Sequence, residues 1–319
     1  MAAIKTLEIV SPGIMTSVQD MGRYGYGRFG VAPSGALDSF AMRVANLLVG
    51  NREDQAGLET MLLGPGIRFL TEVVVAVTGG DLQPKRNRQS IEMWRSHAFQ
   101  KDDVLSFGSA VSGFRAYIAV AGGIAVPRLM GSRSTNLPSG FGGHEGRTLK
   151  KEDILVCDDP RGPKIESERF FNPEWAPQYS DKWKIRVVLG PQDDQVPDDS
   201  RATFSKNTYT MSQNSDRTCI RLEGPEIRCK PEVEASIVSE GVIAGSIQIP
   251  GDGKPIIILG ETVTGGYRKI ATVISADLPL LGQIKPGDGI QFEVVSLEEA
   301  HLALQKMEEW INNIKRKIN

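Results

Sequence analysis

Glycine sets the tightest limit on what this chain can become: 34 of its 319 residues are glycine and another 18 are proline. Neither residue sits well inside a helix, so long helices have little room. Between the breakers stand short β-branched runs. Val73-Val74-Val75-Ala76-Val77, Tyr117-Ile118-Ala119-Val120, Ile185-Arg186-Val187-Val188-Leu189 and Pro255-Ile256-Ile257-Ile258-Leu259 each have the length of a strand and end in turn residues. The chain therefore reads as mostly β, with few helices. Two helices are expected all the same. Over 38–49, Phe40, Ala41, Val44, Leu47 and Leu48 recur at helical spacing, with Asp38 or Ser34 as cap and Gly50 past the end. Over 297–318, Ser296 and Glu299 form a capping box, and Ala300, Leu304, Met307, Ile311, Ile314 and Ile318 make one apolar stripe.

A chain of this length is long enough for two lobes. The division expected is a β-rich lobe at 1–157, a connector at 158–183 and a second lobe at 184–319. The connector holds Asp158-Asp159-Pro160-Arg161-Gly162-Pro163 and Phe170-Phe171-Asn172-Pro173-Glu174-Trp175 and has no periodicity; its aromatics should lie on the body. Hydrophobic residues make up 40% and charged ones 24%, with a net charge of -2, so no basic stripe marks a nucleic-acid binder. Lys85-Arg86-Asn87-Arg88 and Lys315-Arg316-Lys317 read as solvated surface. Cys157, Cys219 and Cys229 are widely spaced and odd in number, which fits free thiols in a reducing compartment. The first ten residues carry Lys5 and Glu8 and no apolar core of a signal, and no stretch is long and apolar enough to span a membrane. A cytoplasmic protein is expected.

Missing motifs narrow the chemistry. No G-x-x-x-x-G-K-[ST] cradles phosphates, and Gly251-Asp252-Gly253-Lys254 before Pro255 reads as a hairpin turn. No G-x-S-x-G marks a hydrolase elbow. His97, His144 and His301 stand far apart, so no metal site is expected. Ala41-Met42-Arg43-Val44 resembles the surroundings of a biotinylated lysine, but the guanidinium of Arg43 cannot accept biotin, and the segment reads as helix core.

Four glycine-rich clusters remain. The first runs from Ser11 to Arg23 and on through Gly30-Val31-Ala32-Pro33-Ser34-Gly35-Ala36-Leu37-Asp38. The second is Gly131-Ser132-Arg133-Ser134-Thr135 with Phe141-Gly142-Gly143-His144-Glu145-Gly146-Arg147. The third is Gly245-Ser246-Ile247-Gln248-Ile249-Pro250, and the fourth is Thr262-Val263-Thr264-Gly265-Gly266-Tyr267, closing at Ala276-Asp277. Glycines such as Gly35, Gly142, Gly143, Gly265 and Gly266 let backbone approach a ligand, and the N–H groups of such turns can hold anions. Arg23, Arg133 and Arg147 can each clamp a carboxylate or phosphate. Gln19 and Gln248 can read an amide through its donor and acceptor. Ser34 and Thr264 add hydroxyls. An anionic ligand bearing an amide would use all of these; tight turns with arginines paired to nearby acids would use none.

The order of these pieces resembles one family. Pro-Gly-x-x-Thr-x-Val-Gln-Asp-x-Gly-Arg, Pro-Ser-Gly-Ala-x-Asp and Ala-Asn-Leu-Leu-Val-Gly-Asn fall within 12–51. Gly-Ser-Arg-Ser-Thr and Gly-Gly-x-x-Gly-Arg fall at 131–135 and 142–147, Ser-Asp-Arg…Arg-Leu-Glu-Gly-Pro at 215–225, and Gly-x-Ile-Gln-x-Pro and Thr-Gly-Gly-Tyr at 245–250 and 264–267. Together they are similar to the allophanate-hydrolase-subunit-2, or biotin-dependent carboxyltransferase, family over nearly the whole chain. The resemblance implies two lobes with cyclophilin-like β-barrels. It also implies pairing with a homologue of allophanate hydrolase subunit 1, the B-type partner. Bacterial members act as the C-type component of an ATP-dependent 5-oxoprolinase, which opens 5-oxoproline to glutamate with its A-type and B-type partners. Other members form the carboxyltransferase part of urea carboxylase, which works with biotin, or antagonise a kinase inhibitor without turnover. In the first reading ATP binds with the partner proteins, Asp38 or Asp277 is the general acid or base, and Tyr267 orients the substrate. Asp38 serves equally well as a helix cap and Asp277 as a turn residue. The chain departs from the family at Gly260 and Thr262, where Asp and Gln are common, at Thr218 and Cys219 in place of Met-Gly, and at His144.

Overall fold

A computed structural model of the protein describes residues 4–158, 169–234 and 236–318. Its backbone groups into two units, one of residues 1–23, 34–179 and 310–319 and the other of 24–33 and 180–309. The divide at 179/180 falls within the connector expected at 158–183. A simple cut there has no place for two segments: the loop 24–33, which groups with the second unit, and the last residues, which group with the first. The Pro160-Arg161-Gly162-Pro163 part of that connector lies outside the described residues.

The first unit carries two sheets. One runs in the order Ile154–Cys157, Ile4–Ser11, Gly66–Phe69, Val104–Ser106, Lys85–Arg86 and Gln89–Ser90. The other runs Met15–Gln19, Gly57–Met61, Ser112–Val120, Val73–Asp81 and Arg95–Phe99. Central strands buried on both faces need a continuous apolar run rather than alternation. Ala116–Val120 supplies that run within the strand Ser112–Val120, whose every residue after Ser112, Arg115 included, is buried. The helix Ser39–Leu48 packs on this strand and on Val73–Asp81. Its Ala41 and Met42 cluster with Tyr117, and the Thr78 hydroxyl donates to the Ala41 carbonyl at 2.7 Å. Asp38 caps its start, accepting from the Ala41 N–H at 2.9 Å, and Gly50 takes φ 79° just past its end. The aromatics of the connector lie on this unit, as expected: Phe171 meets Phe40 at 6.0 Å, Trp94 at 5.5 Å and Trp175 at 6.3 Å.

The second unit holds a closed barrel. Lys182–Leu189, Gly289–Val294, Thr208–Met211, Cys219–Glu223, Ile256–Ile258, Ser246–Ile249 and Thr264–Val273 follow one another, and the last pairs back onto the first. Closure removes the free edges that a flat sheet would leave. An eighth strand, Ser236–Gly241, pairs on the outside with Thr264–Val273. The interior is apolar: Ile185, Val187, Ile220, Ile247, Ile257, Ile290 and Phe292 are all buried. Phe204, from the short helix Asp198–Lys206, stacks on Phe292 at 4.5 Å. That helix has one buried residue and a polar sequence, so no periodicity announced it. The Gly251–Lys254 segment is the turn between Ser246–Ile249 and Ile256–Ile258, as its sequence implied. The final helix runs Leu297–Ile318, with the Glu299 carboxylate accepting from the Ser296 N–H at 2.8 Å. Of its stripe, Ala300, Ile311 and Ile314 are buried; the Ile318 side chain lies outside the described residues. Among the described residues no helix is long and apolar enough to cross a membrane.

Candidate functional site

Both glycine-rich clusters of the first unit are built around one carboxylate. Asp20 follows the strand Met15–Gln19, and it is buried. Its Oδ1 accepts from the Gly22 N–H at 2.8 Å and from the hydroxyls of Ser132 and Ser134 at 2.7 and 2.6 Å, and its Oδ2 accepts from the Arg133 N–H at 2.5 Å. A carboxylate in this setting welds the Gly131-Ser132-Arg133-Ser134-Thr135 turn to the end of the strand. Gln19 is equally committed: its Nε2 donates to Ser17 Oγ at 3.0 Å and to the Thr135 carbonyl at 3.2 Å, while its Oε1 accepts from the Gly35 N–H at 3.1 Å. Arg23 is buried, donates to Ser34 Oγ at 3.1 Å and to the Ser134 carbonyl, and stacks over Phe141 at 4.7 Å. Ser34 and Gly35 take φ of 57° and 95°. A Cβ on Gly142 would lie 2.2 Å from the Ser134 carbonyl oxygen, and one on Gly143 would lie 1.9 Å from Thr135 Oγ1. These glycines admit protein backbone and side chain at close range.

Arg133 and Arg147 are ion-paired. Arg133 reaches Asp158 at 3.1 Å. Arg147 donates to Asp153 at 2.7 and 3.0 Å and to Glu145 at 2.5 and 3.1 Å. The hydrogen bond from Arg147, together with the Lys150 N–H and the nearby His144 ring, holds the Asp153 carboxyl down at about 2.

Asp38 belongs to a separate buried network of this unit. Its Oδ1 caps the helix, its Oδ2 accepts from the Tyr179 hydroxyl at 2.9 Å, and its own N–H donates to Tyr117 Oη at 2.7 Å. Tyr117 in turn donates to Glu59 Oε2 at 2.9 Å, and Arg115 stands 3.6 Å from the other Glu59 oxygen. Burial pushes both phenols well above their usual range, helped by Glu59 and Asp38 beside Tyr117 and by Asp38 beside Tyr179. The two tyrosines are therefore fixed hydroxyl donors to carboxylates.

The second unit brings Gln248, Gly265 and Tyr267 to one face. Gln248 on Ser246–Ile249 stands directly opposite Lys269 on Thr264–Val273. Residues alternate across a strand, so Gly265 and Tyr267 share the side of Lys269. The Gln248 amide fills the place of the missing Gly265 side chain, with Nε2 2.3 Å from where a Cβ would stand, and donates to the Tyr267 carbonyl at 3.3 Å. Among the described residues nothing donates to its Oε1 or bonds the Tyr267 hydroxyl, and Tyr267 is 39% exposed. Lys269 is buried and ion-paired with Glu240, which also accepts from Gln192 Nε2 at 2.9 Å. These two bonds, Lys269 first, hold the Glu240 carboxyl below its ordinary range. Thr264 and Gly266 lie on the same strand beside Ser236–Gly241. Asp277 sits apart from this face in its bonding. It is buried and accepts from Arg186 through the backbone N–H at 2.8 Å, Nε at 3.0 Å and Nη2 at 2.5 Å, and that pairing raises the arginine further.

Asp20, Glu59, Lys269 and Glu240 did not stand out from the sequence. Asp20 had a signal, an acid inside the glycine-rich turn Gln19-Asp20-Met21-Gly22-Arg23. Glu59 and Glu240 had none, because each meets its partner only through strand pairing. Among the described residues no cluster of His, Cys, Asp and Glu could hold a metal ion. Arg43 is paired with Glu53 at 2.7 Å on the buried helix, a guanidinium and not a carrier amine.

The fold that carries this face, a two-sheet unit and a seven-stranded barrel in one chain, is shared with known proteins. Residues 29–294 match the carboxyltransferase domain, subdomain A and B, and the chain belongs to that family. It is 34% identical to the C-type component of 5-oxoprolinase from Escherichia coli strain K12, across 97% of each chain. It is 32% identical to the Haemophilus influenzae protein of the same name, across 97% of this chain and 98% of that one. It is also 36% identical to urea amidolyase of Lachancea kluyveri, where it spans 17% of the larger protein. The crystal structure of the K. lactis urea amidolyase superposes with a TM-score of 0.88 at 33% identity, over 98% of this chain and 20% of that one.

Proposed function

We propose that this protein is the C-type component of an ATP-dependent 5-oxoprolinase, opening the lactam of 5-oxoproline to glutamate together with A-type and B-type partners. The observation that carries this reading is the end-to-end match with two bacterial proteins of that name, against a match to one small part of urea amidolyase. The second-unit face supports it. Gln248 Oε1 is an open acceptor for the lactam N–H, and the Tyr267 hydroxyl is a donor for the lactam carbonyl. In the reaction, water adds to the ring carbonyl, the C–N bond breaks, and ATP hydrolysis to ADP and phosphate supplies the driving force. With no phosphate-binding loop in this sequence, ATP is assigned to the assembled complex. Asp38 and Asp277 remain the proposed proton-transfer groups, each with its carboxylate already engaged by a neighbour. Cys157, Cys219 and Cys229 are all free thiols, in keeping with a cytoplasmic setting.

The test is glutamate release from 5-oxoproline and ATP by the three purified proteins, each omitted in turn. Loss of glutamate without this chain is expected. A stable complex that makes none overturns the reading. It would favour the carboxyltransferase alternative, which the K. lactis superposition supports and which needs a separate biotin carrier, or a regulatory binder of the B-type homologue.

A further inference from the structure

A buried ammonium is costly unless a counter-charge stands beside it. Lys269, 6% exposed, has that counter-charge in Glu240. The two partners are held very unequally. The Lys269 backbone is clamped on both sides by Gln192, which takes the Lys269 N–H on its Oε1 at 2.9 Å and donates its own N–H to the Lys269 carbonyl at 3.1 Å. Glu240, its side chain 44% exposed, rides on the outermost strand, whose register slips between Ser236 and Glu240. The cation is fixed and the anion is at the rim.

The groups around Lys269 are those a ligand would use. Gln248, directly opposite, offers a carbonyl oxygen that nothing described occupies, and Tyr267, two residues before, offers a hydroxyl. The missing side chain of Gly265 is what lets the Gln248 amide lie against the strand here. A small molecule with a carboxylate and a planar amide satisfies all three groups: the carboxylate takes Lys269, the N–H takes Gln248 Oε1 and the amide carbonyl takes Tyr267. We propose that Lys269 is the carboxylate-binding residue of this face, and that Glu240 is an internal stand-in which the ligand's carboxylate displaces. The identity of the ligand as 5-oxoproline rests on the oxoprolinase reading; the anion site does not.

The test is calorimetric titration of the full chain with 5-oxoproline, with pyrrolidinone (the same lactam without the carboxylate) and with acetate. Glu240→Gln keeps the contact to Gln192 but lowers competition for the ammonium. It should tighten 5-oxoproline about tenfold, the scale of one charge-assisted hydrogen bond, and leave pyrrolidinone unchanged. Lys269→Met, close in volume, should bind the two lactams equally. Lys269→Met leaves only the rim carboxylate of Glu240 unpaired, whereas Glu240→Gln takes the counter-charge from a buried ammonium, so a cooperative thermal melt of that variant is confirmed before titration. Unchanged preference for 5-oxoproline in both variants, or no Lys269-dependent binding of any probe, overturns the proposal. Acetate binding that depends on Lys269 and Glu240, with no lactam binding, upholds the anion site and removes the oxoprolinase reading. Full glutamate release by the three-protein complex carrying Lys269→Met overturns the anion site and leaves that reading standing.

Discussion

Arg147 commits all three of its nitrogens to Asp153, Glu145 and the Thr148 carbonyl, so its first role is to hold its own turn. Arg147→Met should cost on the order of 1–3 kcal/mol in urea unfolding, the scale for leaving a half-buried partner unsatisfied. Asp153 carries the matching pH dependence. Its carboxyl is depressed from 3.8 to about 2, so it favours the folded state above its ordinary value, and that contribution fades as pH falls from about 4 towards 2. The urea midpoint of wild type should therefore converge with that of Asp153→Asn over that window. Glycine at 143 is a related case, where a residue type is dictated by both φ of 53° and lack of space. Gly143→Ala should yield little folded protein, visible as loss of soluble expression or of a cooperative melt.

The helix Ser39–Leu48 separates two meanings of Asp38. As cap, Asp38 stabilises the helix by about 0.5–2 kcal/mol, and Asp38→Ala should lower the melting temperature accordingly. Asn caps as well as Asp but turns an NH2 group towards the Tyr179 hydroxyl that Oδ2 accepts from, so Asp38→Asn should still fold cooperatively and melt below wild type by the cost of that one hydrogen bond, about 1 kcal/mol. A proton-transfer role predicts that the same Asn variant loses glutamate release in the assembled complex, with folding intact. Full activity in Asp38→Asn would confine the residue to capping. The element was readable from its sequence because the cap, the 3.6-residue spacing and the terminal Gly50 all agree. Its bonds to Tyr179 and Tyr117 were not, since those partners are 141 and 79 residues away.

Across the molecule, the chain ends where it began. Residues 310–319 group with the first unit, where Ile311 and Ile314 are buried and Lys315 reaches Glu53 at 2.6 Å. Ile311→Ala should cost about 2–5 kcal/mol, as buried large-to-small changes do, read as an earlier first transition in thermal unfolding. An unchanged melt would mean the terminal turns are not part of that unit's core.

Local pattern was enough, from the residues alone, for the β-rich class, for both longer helices with their caps, and for the hairpin turn at Gly251–Lys254, because each is decided within a few residues by φ limits, capping and spacing. Motif order added the family. The closing of seven strands into a barrel, the grouping of loop 24–33 with the second unit, and the partners of the polar residues were decided by tertiary structure. Arg23, Gln19 and Arg147 look the same in sequence as ligand-binding groups; only folding shows that Ser134, Thr135 and Asp153 already hold them. Lys269 looks like an ordinary strand cation until pairing sets it opposite Gln248 and beside Glu240. Chemistry that depends on long-range pairing leaves no local signal, because the groups that define it are brought together by register rather than by neighbouring residues.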